Sequence, residues 1–190
     1  TAKGSPTDRE VQALLYRSPI LDRVWKANAI RMVGDGVPAG DVIAAQRQVA
    51  RWDDWYSFWA KRGDDYERLA REALARGRRL SAGELFWQAC LSYHYAQFLW
   101  FHDPPLRDGG QHRKVALYRE AAPLFAVPAE RFDLPFEGLT IPGYLRVPPD
   151  RKGRAPVVLV LGGLESTKEE SYLFENRCLQ RGLATCTFDG

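Results

Sequence analysis

A glycine pair closes a run of aliphatic residues. Pro156-Val-Val-Leu-Val-Leu161 leads into Gly162-Gly163-Leu164, and then into Glu165-Ser166-Thr167-Lys168-Glu169. Bare backbone N–H groups between the end of a strand and the start of a helix can hold an anion or a developing oxyanion. The spacing is neither Gly-x-Gly-x-x-Gly nor that of a P-loop, so dinucleotide and Walker-type readings fail on geometry. Taken alone, the pair fits an ordinary tight strand-to-helix turn as well as it fits a site. An anion- or nucleotide-binding α/β domain built on Gly162 and Gly163 is retained as a weaker reading.

The other groups that could do chemistry are scattered. No Gly-x-Ser-x-Gly nucleophile elbow occurs. Ser57, Ser81, Ser92 and Ser171 fall in helical patterns, and Ser166 reads as a helix cap. His94, His102 and His112 all precede residue 128. Cys90, Cys178 and Cys186 are odd in number and widely spaced, which argues against a disulfide framework and for a reducing, cytoplasmic compartment. No Cys/His group has metal-ligand spacing, so neither metal nor cofactor is expected.

Two kinds of element must position these groups. Up to residue 128 the pattern is helical, with helices predicted near 8–17, 20–33, 40–50, 53–76, 82–101 and 111–122. Thr7-x-x-Glu10 and Ser81-x-x-Glu84 read as capping boxes, in which hydroxyl and carboxylate satisfy each other's orphan N–H groups. Gly77 follows Arg76 as a C-terminal cap, and Asp103-Pro104-Pro105 is expected to stop the fifth helix. All six tryptophans (Trp25, Trp52, Trp55, Trp59, Trp87 and Trp100) lie in this part. Trp55, Tyr56, Trp59, Tyr66, Leu69, Ala73 and Leu74 form one stripe, as in a core-facing helix. Residues 82–101 are apolar nearly all round, which predicts a buried helix. Its Gln88, Ser92, His94 and Gln97 then need buried partners, or else they line a ligand cavity. Tyr93, His94, Tyr95 and Trp100 are the candidate substrate contacts.

From Glu130 the period changes to two. Phe132, Leu134 and Phe136 alternate with polar positions, Glu137-Gly138 is a turn, and Leu139 to Val147 continues past Pro142-Gly143 as the second strand of an edge hairpin. Pro156 to Leu161 reads as a parallel strand buried on both faces. Ser166-x-x-Glu169 is a third capping box, before a helix at roughly 168–181. Leu183 to Phe188 is a further buried strand. The class is therefore α/β, with an all-helical unit over 1–128 and the opening of a parallel sheet over 129–190. So few parallel strands cannot be covered on both faces, and the sheet is expected to be incomplete.

Composition narrows the function classes. The chain has 190 residues, 45% hydrophobic and 27% charged, with a net charge of +3. That is no basic field for nucleic acid. Its longest apolar stretch is about ten residues, against roughly 18 for a membrane span. Lys3, Asp8, Arg9 and Glu10 near the start argue against a secretory leader.

Two segments carry a more specific resemblance. Pro156-Val-Val-Leu-Val-Leu-Gly-Gly-Leu-Glu-Ser-Thr-Lys-Glu-Glu-Ser171 and Arg181-Gly-Leu-Ala-Thr-Cys-Thr-Phe-Asp-Gly190 resemble the core entry of the 2,6-dihydroxypseudooxynicotine hydrolase family. Leu80-Ser-Ala-Gly-Glu-Leu85, Tyr95-Ala-Gln-Phe-Leu-Trp-Phe101, Lys114-Val-Ala-Leu-Tyr118 and Ala121-Ala-Pro-Leu124 resemble its helical N-terminal cap. These are α/β-hydrolases related to the FrsA-like esterases. The resemblance implies a serine hydrolase that cleaves a C–C bond beside a ketone on an aromatic ring, or an ester. It places an oxyanion N–H on Leu164, set up by Gly162 and Gly163. A small-molecule substrate and a homodimer are expected, without nucleic acid or membrane. In the family, Asp189-Gly190 is followed by Pro-Gly-x-Gly and, further on, by the nucleophile elbow, so Ser, Asp and His of the triad are absent here and these 190 residues alone should not catalyse. A non-catalytic helical dimerisation or scaffold module with a vestigial sheet is the alternative, motivated by the aromatic-rich helices.

Overall fold

The computed structural model describes residues 28–49, 51–149, 153–163 and 165–189. The helix expected at 8–17, most of that at 20–33, and the Thr7–Glu10 capping box lie outside them.

Residues 28–35 are helical (α1). They are followed by α2 over Ala39–Gln48, α3 over Trp55–Ala75, α4 over Arg79–Gln97 and α5 over Pro104–Ala121. The predicted stripe of α3 faces inward at Trp55 and Trp59, with Gly63 and Ala70 continuing the same face. Leu69 departs from it and is exposed. At Gly63 α3 lies close against α4: a Cβ there would lie 2.6 Å from ring carbons of Tyr93. Gly77 ends α3 with φ +72°. Its N–H bonds to Leu74 O at 2.9 Å and that of Arg78 to Ala73 O at 2.9 Å, the paired closure that a left-handed residue permits.

Helix α4 is buried on all faces from Phe86 onward, apart from Gln88, as the all-round apolar pattern predicts. Three of its polar side chains are partnered. Ser92 donates to Gln88 O at 2.9 Å, Gln97 donates to Gln111 Oε1 at 2.7 Å, and the half-buried Gln88 donates to Gly36 O at 2.9 Å.

Two boundary expectations are corrected. The Gly77 turn feeds the chain directly into a helix at Arg79, so Ser81 sits inside the first turn and no side chain caps that end. At the other end α4 stops at Gln97, and Leu99 takes a left-handed φ of 56°. Asp103 instead caps α5, accepting from Leu106 N–H at 3.1 Å. Pro104 and Pro105 occupy first-turn positions whose N–H groups would have had no partner. The prolines thus begin a helix; they do not end one.

The sheet comprises β1 (Glu130–Phe136), β2 (Leu139–Arg146), β3 (Val157–Leu161) and β4 (Ala184–Phe188), in the order β1-β2-β4-β3. β1 and β2 form the expected antiparallel hairpin. Glu137 and Gly138, at φ 47° and 78°, make its turn, as a two-residue hairpin requires. Pro142 is tolerated because β4 pairs only with Gly143–Arg146, leaving the proline's missing donor outside that ladder. β3 and β4 run parallel, joined through a 3-10 turn (Lys168–Ser171) and α6 (Tyr172–Leu179). β3 is not buried on both faces. Val157, Leu159 and Leu161 are 50, 64 and 56% exposed, because among the described residues no element covers that side.

Aromatic pairs and one buried arginine join the helices to the sheet. Tyr118 packs on Tyr144, and Phe125 on Tyr172, with ring centroids 4.7 and 4.2 Å apart. Arg146 is buried beside both Phe125 and Tyr172. It donates to Val127 O at 3.0 Å and to Asn176 Oδ1 at 2.9 Å, and its Nη1 lies 3.6 Å from Glu175. No helix among the described residues is long and apolar enough to cross a membrane.

Candidate active site

The turn after β3 is tight for a steric reason. A Cβ on Gly162 would meet Ser166 Cβ at 2.7 Å and its carbonyl carbon and oxygen at 2.9 Å. Ser166 N–H closes the turn on Gly163 O at 3.1 Å, and Glu165 takes a left-handed φ of 61°. Gly163, by contrast, has nothing within 4 Å of a notional Cβ. Leu164 lies outside the described residues.

The next five residues are each gripped by a side chain. Ser166 Oγ accepts from Arg31 of α1 at 2.9 Å. Thr167 Oγ1 accepts from Lys114 of α5 at 2.9 Å. Lys168 pairs with Asp189 at the end of β4, through Nζ and through its own N–H. Glu169 lies 3.4 Å from Lys114 and 2.9 Å from Lys168, while its carbonyl accepts from Trp87 Nε1 at 3.1 Å. Glu170 lies 3.1 Å from Arg31 and 3.0 Å from His94 Nε2. The Ser166–Glu169 capping box is therefore not formed, because both side chains are engaged elsewhere.

The electrostatics of these carboxylates follow from the same contacts. Burial alone would raise both carboxyls. Lys114 and Lys168 outweigh it at Glu169 and hold it down to about 2. The hydrogen bond it accepts from His94, with Ser166 and Arg31, holds Glu170 below the usual carboxylate range. Neighbouring Asp35 is pushed up by burial against the hydrogen bond from Tyr95.

Beside this turn a cavity of about 370 Å³ opens between α4, α5 and the loop. His94, Gln97 and Phe98 supply one wall, Arg107, Asp108 and Gln111 another, and Glu165, Ser166 and Thr167 the floor. Hydrogen-bonding groups surround a ligand-sized space with one aromatic edge, as in a site that orients a polar small molecule. A second hollow, between α4 and α6, is lined by Leu85, Trp87, Tyr172 and Leu173 together with Ser81, Glu84, Gln88 and Asn176, and includes no residue of the glycine turn.

Of the four substrate contacts expected from sequence, His94 reaches the polar cavity. It is buried, and Nδ1 has no partner among the described residues. Tyr93 turns toward α3, donating to Asp64 at 2.6 Å beneath the Arg113 guanidinium. Burial and the hydrogen bond to Asp64 push its hydroxyl up to about 12. Tyr95 donates to Asp35 and packs against Trp59 and Phe98. Trp100 lies among Trp52, Tyr56 and His102. Lys114 was missed, although a signal existed: with Leu117, Tyr118 and Ala121 it shares one helix face, so a cation falls on an apolar stripe. Arg107, Asp108 and Gln111 read as an ordinary solvated helix, and nothing local marks them.

Residues 46–190 match the model of the family described as Esterase FrsA-like. The chain belongs to the FrsA-like esterase family. Among its relatives, 2,6-dihydropseudooxynicotine hydrolase of Paenarthrobacter nicotinovorans is 48% identical over 160 residues, covering 84% of this chain and 42% of that protein. The alpha/beta hydrolase psoB of Aspergillus fumigatus is 30% identical over 195 residues, covering 93% of this chain and 42% of its own length. The crystal structure of the 2,6-dihydroxy-pseudo-oxynicotine hydrolase superposes with a TM-score of 0.75 at 47% identity, over 84% of this chain and 44% of that one. The fold is thus that of an α/β-hydrolase, seen through its helical part and first strands. The chain spans about two-fifths of the length of these relatives.

Proposed function

We propose that this chain is the N-terminal portion of a serine-type FrsA-like hydrolase, with residues 1–128 as its cap domain and 129–190 as the entrance to its catalytic core. The cavity shared by α4, α5 and the turn after β3 carries this reading, because it sets polar side chains beside a glycine turn of the kind that stabilises acyl-transfer intermediates. The Leu164 N–H, presented by Gly162 and Gly163, is one oxyanion donor, and the N–H after the nucleophile is the second. The serine, its base and its acid come from sequence beyond these residues. His94 contacts the substrate from the cap side. Tyr95 supports the cavity wall from behind through His94 and Phe98, while Tyr93 and Trp100 pack toward α3.

The substrate class is an aromatic ketone, cleaved at the C–C bond beside the carbonyl, or an ester. Full-length protein incubated with an aryl ketone and with the matching aryl ester should release the carboxylic acid from at least one. Release from neither overturns the proposal.

Three free thiols, two of them buried, support a cytoplasmic location. The exposed Leu134, Phe136 and Leu139 at the hairpin end support a homodimer. Sedimentation equilibrium of the full-length protein tests the dimer, and a monomer at tens of micromolar rules it out. The scaffold-only alternative has less to support it: among the described tryptophans, Trp55, Trp59, Trp87 and Trp100 are buried in the helical core.

A further inference from the structure

The segment Ser166–Glu170 is held mainly from the helical side. Arg31 grips Ser166 and Glu170, Lys114 grips Thr167 and Glu169, Trp87 holds the Glu169 carbonyl, and His94 faces Glu170. The sheet contributes Asp189, through Lys168. A lysine with no exposed surface, Lys114, against a carboxylate that is 1% exposed is an expensive arrangement in an ordinary domain contact. It is placed immediately after a turn where a side chain cannot fit, Gly162 over Ser166.

From this juxtaposition we infer that Lys114 is a positioning residue for the oxyanion turn, acting through Thr167 and Glu169. The inference rests on the reading of that turn given above and assigns the cap a role beyond lining the cavity. Lys114 lies outside the cavity wall. It fixes where the chain leaves the turn, so the direction of the turn's N–H groups depends on a cap residue. The cap is then a fixed part of the catalytic scaffold on this side, because opening it would strand Lys114 and Glu169 without each other.

The test uses full-length protein and the variants Lys114→Met, Thr167→Val, Thr167→Ser and the double variant Lys114→Met/Thr167→Val. Lys114→Met and Thr167→Val should each lower kcat between roughly tenfold and a hundredfold, as small displacements of catalytic groups do. For Lys114→Met KM should stay within about threefold, since that residue lies outside the cavity wall and no ground-state contact is lost. Thr167→Ser keeps the accepting oxygen, so its kcat and amide exchange should both lie closer to wild type than those of Thr167→Val. The double variant should be no slower than the worse single one, as groups acting in one unit are not additive. Amide exchange across residues 162–170 should accelerate in both single variants, which reads the turn independently of turnover.

Unchanged exchange overturns the inference, whether or not the protein is a hydrolase. So does a kcat within twofold accompanied only by a lower melting temperature, or a change confined to KM. If Lys114→Met does not fold, the Thr167→Val and Thr167→Ser pair decides alone. Faster exchange in a protein that hydrolyses neither ketone nor ester upholds the clamp and removes the hydrolase reading.

Discussion

Replacing Gly163 by valine in the full-length protein should lower kcat roughly a hundredfold or more, the usual weight of one oxyanion donor, while the melting temperature moves by no more than about 2 °C. The two halves of this expectation come from one observation: nothing lies within 4 Å of a Cβ at this position, and its φ is outside the left-handed region. A valine therefore fits without disturbing the turn, and its effect is confined to the space through which a carbonyl oxygen approaches the neighbouring N–H. Gly162→Ala is the contrasting control. Its methyl would press on Ser166 at 2.7–2.9 Å, partly on backbone atoms that cannot swing away, so turnover and melting temperature should fall together. A kcat for Gly163→Val within twofold of wild type rejects the oxyanion assignment.

Glu169→Gln should destabilise the protein by about 3–5 kcal/mol at pH 7, the range seen when one partner of a buried ion pair is removed. Lys168 keeps Asp189, but Lys114 is left with the Thr167 hydroxyl as its only other bonded partner among the described contacts. The pH dependence follows from the depressed carboxyl. Glu169 ionises at about 2 in the folded protein, against 4.5 for the free group. Its contribution, on the order of 3 kcal/mol, is therefore complete above about pH 4.5 and lost as the pH falls toward 2. Urea midpoints measured from pH 7 to pH 2.5 check both points. The wild type should lose stability in that window, and the gap to Glu169→Gln should narrow. A gap that stays constant with pH, or a variant within about 0.5 kcal/mol of wild type at pH 7, rejects the role of the buried charge.

These expectations divide between what neighbouring residues encode and what distant ones impose. Side-chain period alone distinguishes the helical part from the strands after Glu130, because helices repeat at 3.6 residues and strands at two. Gly77 and Gly138 announce their turns, since few other residues tolerate the left-handed backbone found there. The all-round apolar stretch that became α4 announces its own burial. The family is legible in the glycine loop and in short stretches of α4 and α5, where particular side chains recur in order.

Local signals failed where a side chain had two possible partners. Ser81 and Ser166 each stand three residues before a glutamate, yet neither forms a capping box. Ser81 is carried inside a helix by the preceding turn, and Ser166 is taken by Arg31 from 135 residues away. The prolines after Asp103 suit the end of one helix or the start of the next, and the left-handed turn at Leu99 selected the start. β3 carries a sequence fit for burial on both faces, but burial depends on what lies opposite, and no element described here does.

Sequence by itself determined the order of helices and strands, the hydrolase family and the place of the glycine turn, because each is written in contiguous residues. Tertiary structure alone decided which charges meet. Lys114, Glu169, Lys168 and Asp189 are ordinary surface residue types in a one-dimensional reading. They become a largely buried network only because α5 crosses the loop after β3, and a Coulomb interaction depends on separation in space and on excluded water, not on separation along the chain.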